Sequence, residues 1–430
     1  MNVRIILALI LLSAGPVRAG LYYSGEQQAE LPASWRGYLL DQRTLRQIGA
    51  APANVPPTLL REQYLEAAKK LETQNRQKPL SADGAADLGA LFVRLNEPAR
   101  AIEVLRAAQR QYPDHFRLTA NLGTAWQMQG DLDAAQRSLR DAVRLAPARN
   151  KIFEEYHLKL VQARLKEAKA AGALDNLFGI DYTDTDGKAT AASISADQRK
   201  ALPEADVALL QQLGLWLPAD GRLLWQLGEL AHAHGDVRTA ANILDGCVTE
   251  FALGSRDLRQ RRKIYREAAD EIARLPDGDH EKYRGDIKFR SPRPLVRQLD
   301  PAILPAIRPD GVNALPWLVL SETTVGRGFK PNFAQYLQDL DGRRVAMTGF
   351  MYPVGMELGD SSTFMLVEYP IGCWFCETPE PTSLVYVSLK EGATPIKKGL
   401  VKIEGTLKLN RDDPEQFLQT LKIATIGEPD

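Results

Sequence analysis

The sequence predicts a two-part protein, an all-α helical-repeat domain followed by a small all-β barrel. Two observations carry that prediction. Residues 85–113 and 119–147 superimpose on each other with a shift of 34, the mark of stacked units that bury a core only against their neighbours. Toward the C-terminus the apolar period changes from that of a helix to the alternation of a strand.

The repeat is specific in its positions. Leu88 and Leu122, Gly89 and Gly123, Ala101 and Ala135, Leu105 and Leu139, Ala108 and Ala142, and Pro113 and Pro147 are each 34 apart. Each unit reads as a helical hairpin. In the first, Leu88, Leu91, Phe92 and Leu95 form one stripe, and Ala101, Leu105 and Ala108 face it across a turn at Asn96-Glu97-Pro98. In the second, Leu122, Trp126 and Leu139 do the same around Gly130-Asp131. Small residues at the crossing bring two helices to the short end of the roughly 8–10 Å range, and the prolines stop the second helix of each unit. A third copy follows 105 residues after the second, with Leu227, Gly228, Ala231, Gly235-Asp236, Ala240, Leu244 and Cys247 on the same template. Cys247 sits where the other copies have alanine, so it is expected to be a small buried core residue.

Around the repeats the periodicity predicts a helix over 59–75, a long helix over 151–171, and an amphipathic helix over 255–275 with Arg259, Arg262, Lys263 and Arg266 on a basic face. Residues 20–80 otherwise begin irregularly, and 173–203 read as a polar loop. There, Asp181, Asp184, Asp186 and Gly187 look like a calcium loop but fail its register, which places Tyr182 first and Ser193 twelfth. Residues 276–316 are proline-rich and read as a linker. The repeat domain is thus assigned to 81–275 and the barrel to 317–430.

The barrel is read from five strand candidates, 343–352, 363–368, 383–389, 400–409 and 417–424. In the clearest, Val401, Ile403, Gly405, Leu407 and Leu409 face one way and Lys402, Glu404, Thr406 and Lys408 the other. Gly349 and Gly405 fall mid-strand, where a small barrel bends or bulges. Five short strands with central glycines fit an OB-like barrel.

Charge and targeting narrow the class of function. The 54 Lys and Arg balance the 54 Asp and Glu, which leaves no bulk electrostatic footprint for nucleic acid or anionic lipid. Asn2–Arg4, the apolar run Ile5–Leu12 and Val17-Arg18-Ala19 read as a signal peptide over 1–19, cleaved after Ala19. No later segment approaches a membrane span, so an exported chain without stable membrane insertion is expected. There is no nucleophile elbow, phosphate-binding glycine loop or zinc-protease signature. No catalytic residue, metal or cofactor is assigned.

The chain has three cysteines. Cys373-Trp374-Phe375-Cys376 is the one sharp chemical motif, flanked by Pro370, Pro379 and Pro381, which argue against the helix N-terminus that a thioredoxin-like pair uses. A structural disulfide is the expectation; half of a metal site with Glu377 and Glu380, a redox pair and free thiols are the alternatives. The region 281–430 contains no histidine, which leaves a closed zinc site short of ligands.

Two resemblances extend this reading. The Leu-Gly, aromatic, Ala, Leu and Pro pattern of 81–147 and 220–253 resembles tetratricopeptide repeats. Leu340-Asp341-Gly342-Arg343-Arg344-Val345, Gly349-Phe350-Met351, Phe364–Val367, Gly372-Cys373, Val385-Tyr386-Val387 and Val401–Leu407 resemble an exported bacterial domain family of unknown function, over about 315–426. The second implies a periplasmic location and no established activity. The first implies that the leading helix of each unit lines a protein-binding groove. Carried over by matching to Gly89, Gly123 and Gly228, the groove positions are Asp83, Ala90 and Arg94, then Arg117, Thr124 and Gln127, then Arg222, Trp225, Glu229 and His232. Their mix of arginines, an aromatic and amides is that of binding hot spots. The arginines would clamp carboxylates of an extended partner. The expected function is protein binding or scaffolding in the bacterial periplasm or envelope. The alternatives are a thiol- or metal-dependent accessory factor using Cys373 and Cys376, and oligosaccharide binding by the barrel.

Overall fold

The computed structural model describes residues 21–26, 39–50, 59–167, 174–180, 194–276, 304–354, 361–368, 381–390, 392–397 and 400–427. The predicted signal peptide, the acidic stretch at 181–187 and the Cys373–Cys376 motif lie outside the described residues.

The helical part begins with α1 (Leu39–Gly49) and α2 (Leu59–Gln77), followed by two hairpins, α3 (Ala82–Arg94) with α4 (Pro98–Gln111) and α5 (Phe116–Gln129) with α6 (Leu132–Leu145). Then come α7 (Ala148–Lys166), a short α8 (Ala196–Lys200), α9 (Asp206–Trp216), a third hairpin of α10 (Gly221–Ala233) and α11 (Val237–Thr249), and α12 (Arg256–Ala273).

The three hairpins share one internal geometry. A Cβ placed on Gly89 would stand 2.4 Å from Leu105, on Gly123 2.6 Å from Leu139, and on Gly228 2.3 Å from Leu244. The glycine is thus the point at which each leading helix takes the leucine of its partner. The turn is shared as well. Asn96, Gly130 and Gly235 hold φ of 63°, 89° and 86° at equivalent positions, and positive φ is the conformation that Gly, then Asn, adopts at least cost. The next residue caps the second helix: Asp131 accepts from the Ala134 amide and Asp236 from the Thr239 amide, whereas Glu97 makes no such bond and Pro98 begins its helix instead. Cys247 is fully buried and free, in the core at the position read for it.

Three helices of this part were not expected, the short α8 within the stretch read as a polar loop among them. Residues 39–49, assigned to an irregular segment, form α1. Residues 206–216 form α9, whose described residues are buried all the way round. A helix without a polar face has no amphipathic period to read.

In the C-terminal part, β4 (Arg344–Pro353), β5 (Thr363–Val367), β6 (Leu384–Leu389), β7 (Leu400–Leu409) and β8 (Gln419–Gly427) close in the order β4-β5-β6-β8-β7-β4, after β1 (Asn313–Ala314), β2 (Thr324–Gly326) and β3 (Lys330–Asn332). Only β6 and β8 run parallel among these five, the arrangement of an OB-like barrel. Both central glycines have physical causes. A Cβ on Gly349 would meet the Val367 carbonyl oxygen at 2.7 Å, and one on Gly405 would meet Ala424 at 3.1 Å. Gly405 lies opposite a bulge in β8, where the register shifts and Ile423 takes φ 54°. The proline-rich stretch read as linker contributes β1, which pairs in parallel with Val345 and Ala346 of β4. Short helices α13 (Trp317–Ser321) and α14 (Gln335–Asp339) complete this part. Among the described residues no helix is long and apolar enough to cross a membrane.

Candidate functional site

The leading helices of the array present one face, and the chain's own residues 21–26 lie on it. The segment turns rather than extends, with the Tyr23 amide bonding the Leu21 carbonyl and the Glu26 amide the Tyr23 carbonyl. It is held first through its main chain. The Tyr22 amide donates to Asn121 Oδ1 at 2.9 Å, and Arg117 Nη2 donates to the Tyr22 carbonyl at 2.6 Å. Asn121 is fixed in turn by donating Nδ2 to the Ala86 carbonyl of α3. Arg117 is fixed by Asp83, at 2.8 Å, and by Asp87. Asp83 and Arg117 are equivalent positions of two successive repeats, so the array braces its own contact residue.

Two side chains of the segment enter the helices. The Tyr22 ring packs edge-on against Phe116, with centroids 4.7 Å apart. Its hydroxyl donates to Glu154 Oε1 at 2.8 Å and accepts from Asn150 Nδ2 at 3.3 Å, both on α7. Four residues on, Glu26 meets Arg94 in a two-pronged pair, Nε to Oε1 at 2.7 Å and Nη2 to Oε2 at 2.9 Å. The two side chains are 1% and 0% exposed. Tyr64 of α2 donates to the same carboxylate at 3.0 Å, and Arg94 Nη1 donates to the Leu215 carbonyl of α9 at 2.6 Å. Ser24 bonds Asp87 through both its amide and its hydroxyl. A pocket of about 150 Å³ lies beside the segment, lined in part by Phe116, Arg117, Pro147 and Arg149.

The electrostatics follow from burial. Burial opposes the charge on Arg94, but the adjacent Glu26 carboxylate outweighs it and raises the guanidinium pKa. Among the described residues no cation pairs with Glu154. Burial pushes its pKa up to about 8, against the Tyr22 hydrogen bond, which lowers it. It is therefore a neutral acid at pH 7. His157, one turn on, is pushed down to about 3 by burial and by the Arg164 charge. It is neutral, and its Nε2 lies 2.6 Å from Gln127 Oε1 while its ring packs on Trp216 of α9.

The predicted groove residues thus fall into two groups. Arg94 and Arg117 bond the segment 21–26, Arg94 also bonds α9, and Gln127 pairs with His157 of α7. Ala90 and Thr124 are buried. The third-repeat residues are not on that segment. Arg222 pairs with Asp175 and Glu167, both at 2.6 Å, in a network that Arg164 extends to Asp220. Trp225, Glu229 and His232 are enclosed against α12. Trp225 Nε1 donates to Glu229 at 2.9 Å, Tyr265 donates to Glu229 at 2.6 Å, Arg261 pairs with it at 3.3 Å, and the His232 ring stacks on Tyr265 at 4.6 Å. In this arrangement Trp225 packs inside the chain, 1% exposed, rather than standing open as an anchor. Of the basic face on α12, Arg262 and Arg266 pair with Asp245 of α11.

Residues outside the sequence reading complete the site: Tyr22, Glu26, Asn121, Asn150 and Glu154. Their only sequence signal was that Asn121 and Arg117 share the leading helix of one repeat. Among the described residues no group of His, Cys, Asp and Glu is placed to hold a metal ion.

Comparison with known families bears on the barrel. A family model described as a protein of unknown function (DUF3299) matches residues 329–423, from the start of β3 into β8. No curated protein matches the chain.

Proposed function

We propose that the protein is an exported, periplasmic protein-binding scaffold whose helical part is a tetratricopeptide-type array and whose ligand face is that of the leading helices. The observation that carries this reading is the seat of residues 21–26. An irregular peptide segment is bound there through both its amide and its carbonyl at Tyr22. Main-chain hydrogen bonds hold a peptide independently of most of its sequence, and pockets for a few side chains supply selectivity. The identical glycine–leucine crossings of the three hairpins and their shared left-handed turns support the tetratricopeptide assignment. The neutral charge balance favours protein over nucleic acid as partner.

In this reading the first nineteen residues are removed on export, and Cys373 and Cys376 form a local disulfide in the barrel. A photo-crosslinking residue at position 83, at the rim of the ligand face, is expected to capture a partner in the native envelope. The same residue at position 263, on the outer side of α12, is expected to capture none. Capture from 263 alone would move the binding surface elsewhere.

A further inference from the structure

Resting on the reading of the leading-helix face as a peptide site, we infer that residues Leu21–Glu26 are an internal ligand of that face, and that partner peptides bearing an aromatic residue four positions before a carboxylate bind by displacing it. The contacts sort as those of a bound peptide rather than of a structural strand. Tyr22 is read through both its amide and its carbonyl by Asn121 and Arg117, and Ser24 through its amide by Asp87. Two side chains at fixed separation fill specific receptors: the Tyr22 ring and hydroxyl go to Phe116, Asn150 and Glu154, and the Glu26 carboxylate goes to Arg94 and Tyr64. Leu21 is buried alongside. The partners lie 38 to 132 positions away in sequence, so the segment belongs to no repeat that it covers. The receptor atoms come from α2, α3, α5 and α7, and a segment supplied by another chain would meet the same set.

An internal ligand sets a threshold. A face that is free in a fraction f of molecules binds an outside peptide with its intrinsic dissociation constant divided by f, so occupancy of about 99% weakens apparent binding about a hundredfold. Only a partner that matches both anchors, or that is delivered at high local concentration, then gains access.

The test uses a fluorescently labelled nonapeptide with the sequence of residues 20–28 and the full chain. In the full chain, Tyr22→Ala with Glu26→Gln weakens the internal ligand and leaves every receptor residue in place. The labelled peptide is expected to bind this variant at least tenfold more tightly than the unaltered chain. The gain should vanish when the peptide's own tyrosine at the position of Tyr22, or its glutamate, is replaced by alanine. A variant that keeps its helical signal and melting cooperativity yet binds the peptide no better than the unaltered chain overturns the inference. If the double variant does not fold, hydrogen exchange on the unaltered chain decides. Excess peptide is expected to speed exchange of the 21–26 amides, and unchanged exchange at millimolar peptide contradicts displacement. Failure here together with partner capture from position 83 would leave the binding face standing without an internal ligand. Failure of both would remove the face itself.

Discussion

Glu154 and His157 stand one helical turn apart on α7 and give the helical part a pH dependence with two opposed signs. The folded chain holds a proton on Glu154 up to about pH 8, whereas an unfolded glutamate loses it near 4.5. Its contribution is complete below about 4.5 and is lost as pH rises through 8. His157 stays neutral down to about pH 3 against an ordinary value of 6.5. Its contribution is complete above 6.5 and is lost as pH falls through 3. Between 4.5 and 6.5 the two oppose each other. Between 6.5 and 8 Glu154 acts without its opponent, so unfolding free energy is expected to fall with rising pH by about 1 kcal/mol per unit. Glu154→Gln keeps an acceptor for Tyr22 and is expected to flatten that slope, as denaturant titrations at pH 6.5, 7.25 and 8 would show. A slope unchanged by the substitution would mean that Glu154 is ionised in the fold. Cys247 belongs to the same scale. Burial pushes its thiol well up, and it is expected to be inert to thiol reagents until the chain unfolds.

At the scale of the element, the glycine–leucine crossing is the repeating joint. Adding a methyl group at Gly89, Gly123 or Gly228 would place it within 2.6 Å of a buried leucine. Gly123→Ala is therefore expected to destabilise by roughly 1–3 kcal/mol through overpacking, despite alanine's better helix propensity. A net gain in melting temperature would contradict the joint. Asn96 offers the opposite case. It alone carries a side chain at a turn position where the other two hairpins have glycine, so Asn96→Gly is expected to be neutral or slightly stabilising.

This joint was legible because small and large residues recur at fixed spacing, and the barrel strands were legible because alternation survives in β4 and β7. What escaped the sequence has physical reasons. α9 is buried on every side, so Val207, Leu210, Leu213 and Trp216 show no polar face against which to measure a period. β1 is two residues long, too short to alternate, and its stabilisation comes from β4. Tyr22 and Glu26 look like an ordinary polar tail, because what defines them is a set of receptors assembled only by folding. The groove residues were read as a set that faces outward. Arg94 and Arg117 do engage a peptide segment, the chain's own, while Trp225, Glu229 and His232 turn toward α12, whose packing the repeat pattern alone does not specify.

At the scale of the whole molecule, a helical part built of repeated hairpins and an OB-like barrel share one chain, and recognition is proposed for the helical part. The cysteine count gives one check across both parts. Three cysteines are present, of which Cys247 is buried and free. Titration of the purified chain is expected to find none in the native state, one after unfolding, and all three after unfolding with reductant. Two reactive thiols in the native chain would return Cys373 and Cys376 to the redox or metal alternatives.

The central claim is that residues 21–26 are held on the leading-helix face through Glu26 and Arg94. A double-mutant cycle measures it most directly, with denaturant unfolding of the unaltered chain, Glu26→Ala, Arg94→Ala and the pair together. Removing one partner of a buried ion pair costs about 3–5 kcal/mol when the other charge stays buried, with release of the segment setting an upper limit on that cost. The two single changes are expected to be strongly non-additive, with a coupling energy of roughly 2–3 kcal/mol. Additivity within about 0.5 kcal/mol would mean that Glu26 and Arg94 do not meet, and would contradict the seat of the segment on this face.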